Sequence, residues 1–243
     1  MVLEPQKCAA LRLFCFPYAG GGPPIFRGWT DGLPAQTEAC ALLLPGRGKR
    51  LREPIWYDGI EALADKVAAE MTVLLDRPFA LFGHSFGALL AFETARRIEK
   101  QGRQPAALIV SGHIAPQLPD RNVPVHDLPR DALIHALCKL NGMPEELLAS
   151  RDVLDLLLPA VRADLEAVET YAHRPGEPLD VPLLALWGSG DPRAGRHEVE
   201  AWREQSRAEF QFETIEGDHF FVDHQRPHVL RAISSFLQRH ACL

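Results

Sequence analysis

A chain of 243 residues, 47% hydrophobic and 24% charged, can bury a substantial core as one large domain and is too apolar to remain disordered. Its formal net charge of −6 argues against a nucleic-acid binder and obliges any anionic partner to find a local basic patch. No apolar run reaches transmembrane length, and Glu4, Lys7 and Arg12 interrupt the segment where a secretory signal would be apolar, so a cytosolic protein that does not engage membranes is expected.

Leu11 to Phe16 reads as a first buried strand ended by Pro17. The loop Tyr18-Ala19-Gly20-Gly21-Gly22 follows, with glycines that let backbone amides approach a ligand. A flexible linker is the alternative, and Pro23 and Pro24 count against it by restricting the chain just beyond. Ala39 to Leu44 is a second apolar run, stopped at Pro45-Gly46 and followed by the cations Arg47, Lys49, Arg50 and Arg52. Such a cluster reads either as a solvated feature that anchors neighbouring acids or as a contact for a ligand or partner. Gly59 to Leu75 is helical, with Ile60, Leu63, Ala64, Val67, Met71 and Leu74 on one face. A strand over Phe79 to Phe82 then leads through a sharp turn into a helix that runs to about Lys100.

Ala106 to Val110 and Val181 to Trp187 are continuous apolar runs, as parallel strands covered on both faces tend to be. Strands alternating with helices, with no composition break, predict a single α/β domain over residues 1–243: a mainly parallel sheet with helices on both faces. Residues 114–180 carry only helical patterns. Leu133, Ile134, Leu137 and Leu140 form one face, Val153, Leu156, Leu157, Val161, Leu165 and Val168 another, and Pro144 and Pro159 are expected to interrupt them. An insertion of that length at the sheet's C-terminal edge reads as a lid, with plain helical packing the alternative. Beyond it a helix over Glu198 to Arg207, a strand over Glu209 to Ile215 and a final helix over Pro227 to Arg239 are expected. The five cysteines, Cys8, Cys15, Cys40, Cys138 and Cys242, are odd in number and lack metal-type spacing, which predicts reduced, buried thiols and no metal; no cofactor is expected either.

The chemistry concentrates at Gly83-His84-Ser85-Phe86-Gly87, between the strand at Phe79 and the helix resuming at Ala88. A serine in that turn has the context of a nucleophile elbow, with flanking glycines because the turn is tight. The Phe86 amide, at the start of the helix, is a candidate oxyanion donor. Downstream, Gly188-Ser189-Gly190-Asp191-Pro192 delivers an acid after one strand, and Gly217-Asp218-His219 delivers a base after the next. The order Ser85, Asp191, His219 is that of the α/β-hydrolase fold, whose early loop supplies a second oxyanion donor, by position Ala19. Ser85 is then the nucleophile, His219 the general base and Asp191 the group that orients the imidazole. Asp218, Asp223 and Asp164 are rival acids; His84, His113, His224 and His228 are rival bases.

The motifs FCFPYAGGG (Phe14 to Gly22), Phe26-Arg27-Gly28-Trp29, LPGRGKRLREP (Leu44 to Pro54), FGHSFGALLAFE (Phe82 to Glu93), LPAVRADLEAVETY (Leu158 to Tyr171), GSGDP (Gly188 to Pro192) and GDHFFV (Gly217 to Val222) resemble those of the type II thioesterases that accompany polyketide synthases and nonribosomal peptide synthetases. The resemblance spans nearly the whole chain. It implies a monomer that hydrolyses thioesters on the phosphopantetheine arm of carrier proteins and so clears stalled or misprimed acyl groups. It also implies a helical lid and an oxyanion hole from the amides of Ala19 and Phe86. Asp218 departs from the pattern, which usually has glycine before the histidine. A stand-alone carboxylesterase or lipase would need the same three residues and is the alternative.

Overall fold

In each central strand, successive side chains divide between two apolar layers. Phe14 and Phe16 join one, with Leu81, Leu108, Val110, Leu183 and Ala185; Leu13 and Cys15 join the other, with Phe82, Ile109, Leu184 and Leu186. The period of two in a strand forces this division, so strands without polar alternation must be covered on both sides. The computed structural model describes residues 9–142 and 150–241; Cys8, Cys242 and the break expected at Pro144 lie outside them. Six strands form one parallel sheet in the order β2-β1-β3-β4-β5-β6, from β1 (Leu11–Phe16), β2 (Thr37–Ala41), β3 (Phe79–His84), β4 (Ala107–Ser111), β5 (Leu183–Gly188) and β6 (Phe210–Ile215). This is the expected α/β-hydrolase arrangement.

Helices α1 (Gly59–Met71) and α2 (Phe86–Lys100) cover the first layer through Ile60, Leu63, Val67, Leu89, Leu90 and Ile98. The other layer is closed by the C-terminal helix (Arg226–His240), through Val229, Ile233 and Phe236, and by Phe26 and Trp29, whose rings lie 6.1 Å and 4.9 Å from that of Phe82. Burying each of these large side chains stabilises the fold by about 1.5–3 kcal/mol.

Several boundaries differ from the sequence reading. Strand β2 begins and ends earlier than Ala39 to Leu44, although Leu42 still donates to the Cys15 carbonyl at 2.9 Å. The Glu198 to Arg207 helix is instead a short α-helix (Arg196–Glu200) continued as 3-10 turns (Ala201–Gln205).

Between β4 and β5 the chain leaves the sheet and forms α3 (Arg130–Lys139) and α4 (Arg151–Glu169). Pro159 lies inside α4 and does not interrupt it. It removes only the bond to the Asp155 carbonyl, and both residues are exposed, so water can satisfy that oxygen. The face expected to be buried is also revised: Val153 and Leu156 are exposed, whereas Leu154, Leu158, Ala160, Asp164 and Ala167 are buried.

Strand order reverses at β1, which pairs with β2 on one side and β3 on the other. A crevice forms at such a point beyond the carboxyl ends of the strands. Phe16 is in register with Gly83, so the loop after β1 begins beside the serine turn. The two backbones are close because both turn glycines lack a side chain. A Cβ at Gly83 would meet the Gly87 carbonyl oxygen at 2.0 Å, and one at Gly87 would meet the Phe16 carbonyl oxygen at 2.2 Å. Gly87→Ala is therefore expected to cost about 3 kcal/mol, lowering the midpoint of thermal unfolding by about 6–12 °C. A midpoint within about 2 °C of the wild type would mean that α2 does not press on β1 as described.

Candidate active site

Ser85 stands between β3 and α2 with φ 56° and ψ −122°, outside the regions that side chains ordinarily occupy. Its amide donates to the Ser111 carbonyl at 2.8 Å and its carbonyl accepts from the Ala88 amide at 2.8 Å, so the backbone is held on both sides of the strained residue. Asp191 lies three residues past the end of β5 and His219 four past the end of β6. Because the sheet is parallel, these ends and the serine turn share one edge.

The structure brings the three together. His219 Nε2 is 2.9 Å from Ser85 Oγ, and His219 Nδ1 is 2.8 Å from Asp191 Oδ2. A carboxylate accepts only, so Nδ1 carries the proton, and Nε2 is left to accept from the serine hydroxyl. The other carboxylate oxygen, Oδ1, accepts from the Arg193 amide at 2.8 Å, which fixes its orientation. Asp191 and His219 are buried.

Each rival acid is committed elsewhere. Asp218 accepts from the Phe220 amide at 2.9 Å and from the Asn141 side chain at 2.8 Å, which links the histidine turn to the end of α3. Asp223 accepts from the Tyr18 hydroxyl at 3.0 Å. Asp164 is engaged by Arg47. Among the rival bases, His84 spans two neighbours: Nδ1 is 2.9 Å from Ser111 Oγ, and Nε2 donates to the His219 carbonyl at 2.8 Å. It therefore holds the backbone of His219 from behind. His113 Nδ1 donates to the Ile114 carbonyl at 2.7 Å. Burial pushes the pKa of both imidazoles down, and for His84 the neighbouring His219 adds to the effect.

A cavity of about 280 Å³ opens on this group of residues. Ser85, His219, Ala19 and Phe86 all line it. The Phe86 amide is at the first helical position, where no intrahelical acceptor exists, and among the described residues the Ala19 amide has no backbone acceptor. The far wall comes from the insertion: Val161, Leu165 and Val168 of α4, at i, i+4 and i+7, and Leu137 and Leu140 at the end of α3. Asp120, Asn122 and Arg193 add a polar stretch that the sequence reading did not single out, because nothing in its spacing marks it as part of the site. Among the described residues, no group of three or more His, Cys, Asp or Glu is placed to hold a metal ion.

The model of the family described as "Thioesterase domain" matches residues 11–237. The chain belongs to the thioesterase family. The solved structure of RedJ, a thioesterase from the prodiginine pathway of Streptomyces coelicolor, superposes with a TM-score of 0.89 at 40% identity, covering 94% of this chain and 91% of RedJ. YbtT, a type II thioesterase from the yersiniabactin NRPS/PKS pathway, gives 0.87 at 32% identity, covering 99% and 98%. A Brevibacillus parabrevis protein is 40% identical over 98% of this chain and 92% of its own length; it is named linear gramicidin dehydrogenase LgrE, against the thioesterase names of the two structures. The resemblance to type II thioesterases read from the motifs is thus borne out, and this thioesterase groups with those of polyketide and nonribosomal peptide pathways.

The buried imidazoles make its stability sensitive to acid. Both are held below the unfolded-state value near 6.5, so the unfolded chain binds more protons once the pH falls through that value. Each should remove up to about 1.4 kcal/mol of stability per pH unit below it, until its own folded value is reached. Urea unfolding of the wild type and His84→Gln between pH 7 and pH 5 should give the variant a shallower acid slope. Equal slopes would mean that His84 is not held neutral.

Proposed function

We propose that the thioesterase acts as a serine hydrolase on acyl thioesters carried by the phosphopantetheine arm of carrier proteins, removing stalled or aberrant acyl groups from a polyketide or nonribosomal peptide assembly line. The supporting observation is the Ser85–His219–Asp191 relay, two of whose members line a largely apolar cavity, in a chain whose relatives serve such pathways. Ser85 Oγ attacks the thioester carbonyl as its proton passes to His219 Nε2, and the carbonyl π pair moves to the oxygen. Collapse of that oxyanion breaks the C–S bond, and His219 returns the proton to the leaving thiolate. Water, deprotonated by the same nitrogen, then attacks the acyl-serine carbonyl; collapse of this second oxyanion breaks the bond to Ser85 Oγ, and His219 returns the proton to that oxygen as the carboxylic acid leaves. Asp191 stabilises the imidazolium, and the amides of Ala19 and Phe86 stabilise the oxyanion. The apolar wall from α3 and α4 suits an acyl chain, and the insertion over residues 114–180 serves as its lid. No residue in this scheme calls for a cofactor, and the cytosol, where assembly lines work, is the expected compartment. No helix of the described residues is long and apolar enough to cross a membrane.

A carboxylesterase would use the same three residues, and the comparisons give it less support. Comparing hydrolysis of one acyl group on a holo carrier protein, on coenzyme A and on a simple oxygen ester tests the choice. Preference for the carrier is expected; equal or better turnover of the oxygen ester would overturn the reading. Ser85→Ala and His219→Ala should each lose on the order of 10^6 in rate, as members of one unit do. Asp191→Asn should lose on the order of 10^4 through the wrong imidazole tautomer. Asp218→Asn should change the rate by less than about threefold, because Asp218 does not touch the ring. Reversal of the last two effects would reassign the acid.

The carrier is expected to be acidic and this chain is itself net negative, so docking needs local cations. Of the four after β2, Arg47 is buried against Asp164, and Arg50 bonds Glu53 and the Leu43 carbonyl. Lys49 and Arg52 are exposed. Charge reversal at both should slow association with the acyl carrier and flatten its salt dependence, with hydrolysis of a small uncharged thioester unchanged. Equal rates on the carrier substrate would remove the segment from the docking surface.

A further inference from the structure

Asp164 is fully buried in the middle of α4 and is not part of the relay. Its two oxygens take four donors. Oδ2 accepts from the Gly20 amide at 2.7 Å and from Arg47 Nη1 at 2.6 Å; Oδ1 accepts from Arg47 Nη2 at 3.0 Å and from the Tyr57 hydroxyl. Arg47 in turn donates to the Gly21 carbonyl at 3.2 Å, so the ion pair grips the loop after β1 at two adjacent residues. Val161, one turn earlier on α4, packs on the same spot. Gly20 has φ 75°, and a Cβ there would meet Val161 Cγ2 at 2.4 Å. The loop therefore lies where it does because the helix of the insertion presses and bonds it there, and the residue before Gly20 is Ala19.

Resting on the serine-hydrolase reading above, we infer that Asp164 is a positioning residue for the acyl-transfer steps. By holding the Gly20 amide it fixes the place of the Ala19 amide, so the oxyanion hole is complete only while α4 is seated on the loop. The insertion thereby couples closure over the acyl chain to assembly of the charge-stabilising site. Unseating α4 would withdraw the acceptor from Gly20 and leave Arg47 without its counter-ion, so the closed arrangement is held by buried charge pairing as well as by apolar contact. The cluster also explains why Arg47 belongs to the catalytic edge although it is not free to meet a partner.

The test compares wild type, Asp164→Asn and Tyr57→Phe in kcat and KM on an acyl-carrier thioester. It also compares their affinity for a trifluoromethyl ketone analogue of the pantetheine thioester and for the matching compound with methylene in place of the carbonyl. The ketone is captured as Ser85 Oγ bonds to its carbonyl carbon, the π pair moves to oxygen and the serine proton passes to His219, so its affinity reads the oxyanion hole; the methylene compound reads only the cavity. Asparagine offers one oxygen where four donors use two. Asp164→Asn should lower kcat and ketone affinity together by about 10- to 100-fold, with KM and the methylene compound within about threefold. A natively folded Asp164→Asn protein that keeps kcat within about threefold, or that loses all four quantities in proportion, overturns the inference. Should that variant fail to fold, Tyr57→Phe, which leaves the ion pair intact, must give the same signature at about three- to tenfold; unchanged kcat and ketone affinity there overturn it. Failure of the underlying reading looks different: the wild type itself would bind the ketone no better than the methylene compound, and the inference would fall with it.

Discussion

The crossing of α2 over the ends of β1 and β3 leaves no room for a side chain, and the placement of the site depends on it. Gly83 and Gly87 are the contact points, and the serine between them is held in an unfavourable backbone conformation by bonds on both sides. Such strain, of order 1–3 kcal/mol, persists only where the surroundings over-determine it. Here the surroundings are fully buried, with Phe82, Phe86, Leu89 and Leu90 on either side of the turn. Core packing and the placement of Ser85 are one arrangement, so a change that loosens the first also displaces the second.

The histidine is positioned by a separate set of constraints. Its ring is oriented through Asp191, its carbonyl is held by His84, and its turn is tied to α3 through Asp218 and Asn141. His84 donates to that carbonyl from Nε2, and burial pushes the pKa of its imidazole down. Asp218, just before His219, therefore has a structural employment: its carboxylate caps the turn at Phe220 and reaches the insertion, leaving the imidazole to Asp191.

Charge in this thioesterase is divided between two settings. Arg47 with Asp164, and Glu93 with Arg96, Arg97 and Tyr171, are buried or half-buried clusters that fasten the insertion to the sheet edge at one end and to α2 at the other. Pairs of that kind cost desolvation and can fix one arrangement among several, a role that fits an insertion whose described residues form only a small apolar cluster of their own around Leu133, Leu154 and Leu158. Lys49 and Arg52, by contrast, are exposed, where a cation contributes little to stability.

Much of this was legible in the chain itself. Apolar runs of strand length alternating with amphipathic helices determined a parallel sheet covered on both faces, because a strand without polar alternation has no side to offer water. Gly-x-Ser-x-Gly at a strand-to-helix turn, with an acid and a histidine after two later strands, determined the order of the relay. Parallel strands put all their carboxyl ends on one edge. Strand ends were less legible, since a register stops where its neighbour stops: Leu43 and Leu44 are as apolar as β2 but have left the ladder. Pro159 looked like a break because sequence does not reveal that it and Asp155, whose carbonyl it orphans, lie on the exposed side of the helix. Least legible was Arg47, whose partner lies 117 residues away. The one trace of that pairing was a carboxylate on an apolar helical stripe, Asp164 between Ala160 and Ala167. Local pattern reports which face of an element avoids water. Only the tertiary structure decides which buried charge meets which, because that depends on how two elements distant in sequence are brought together.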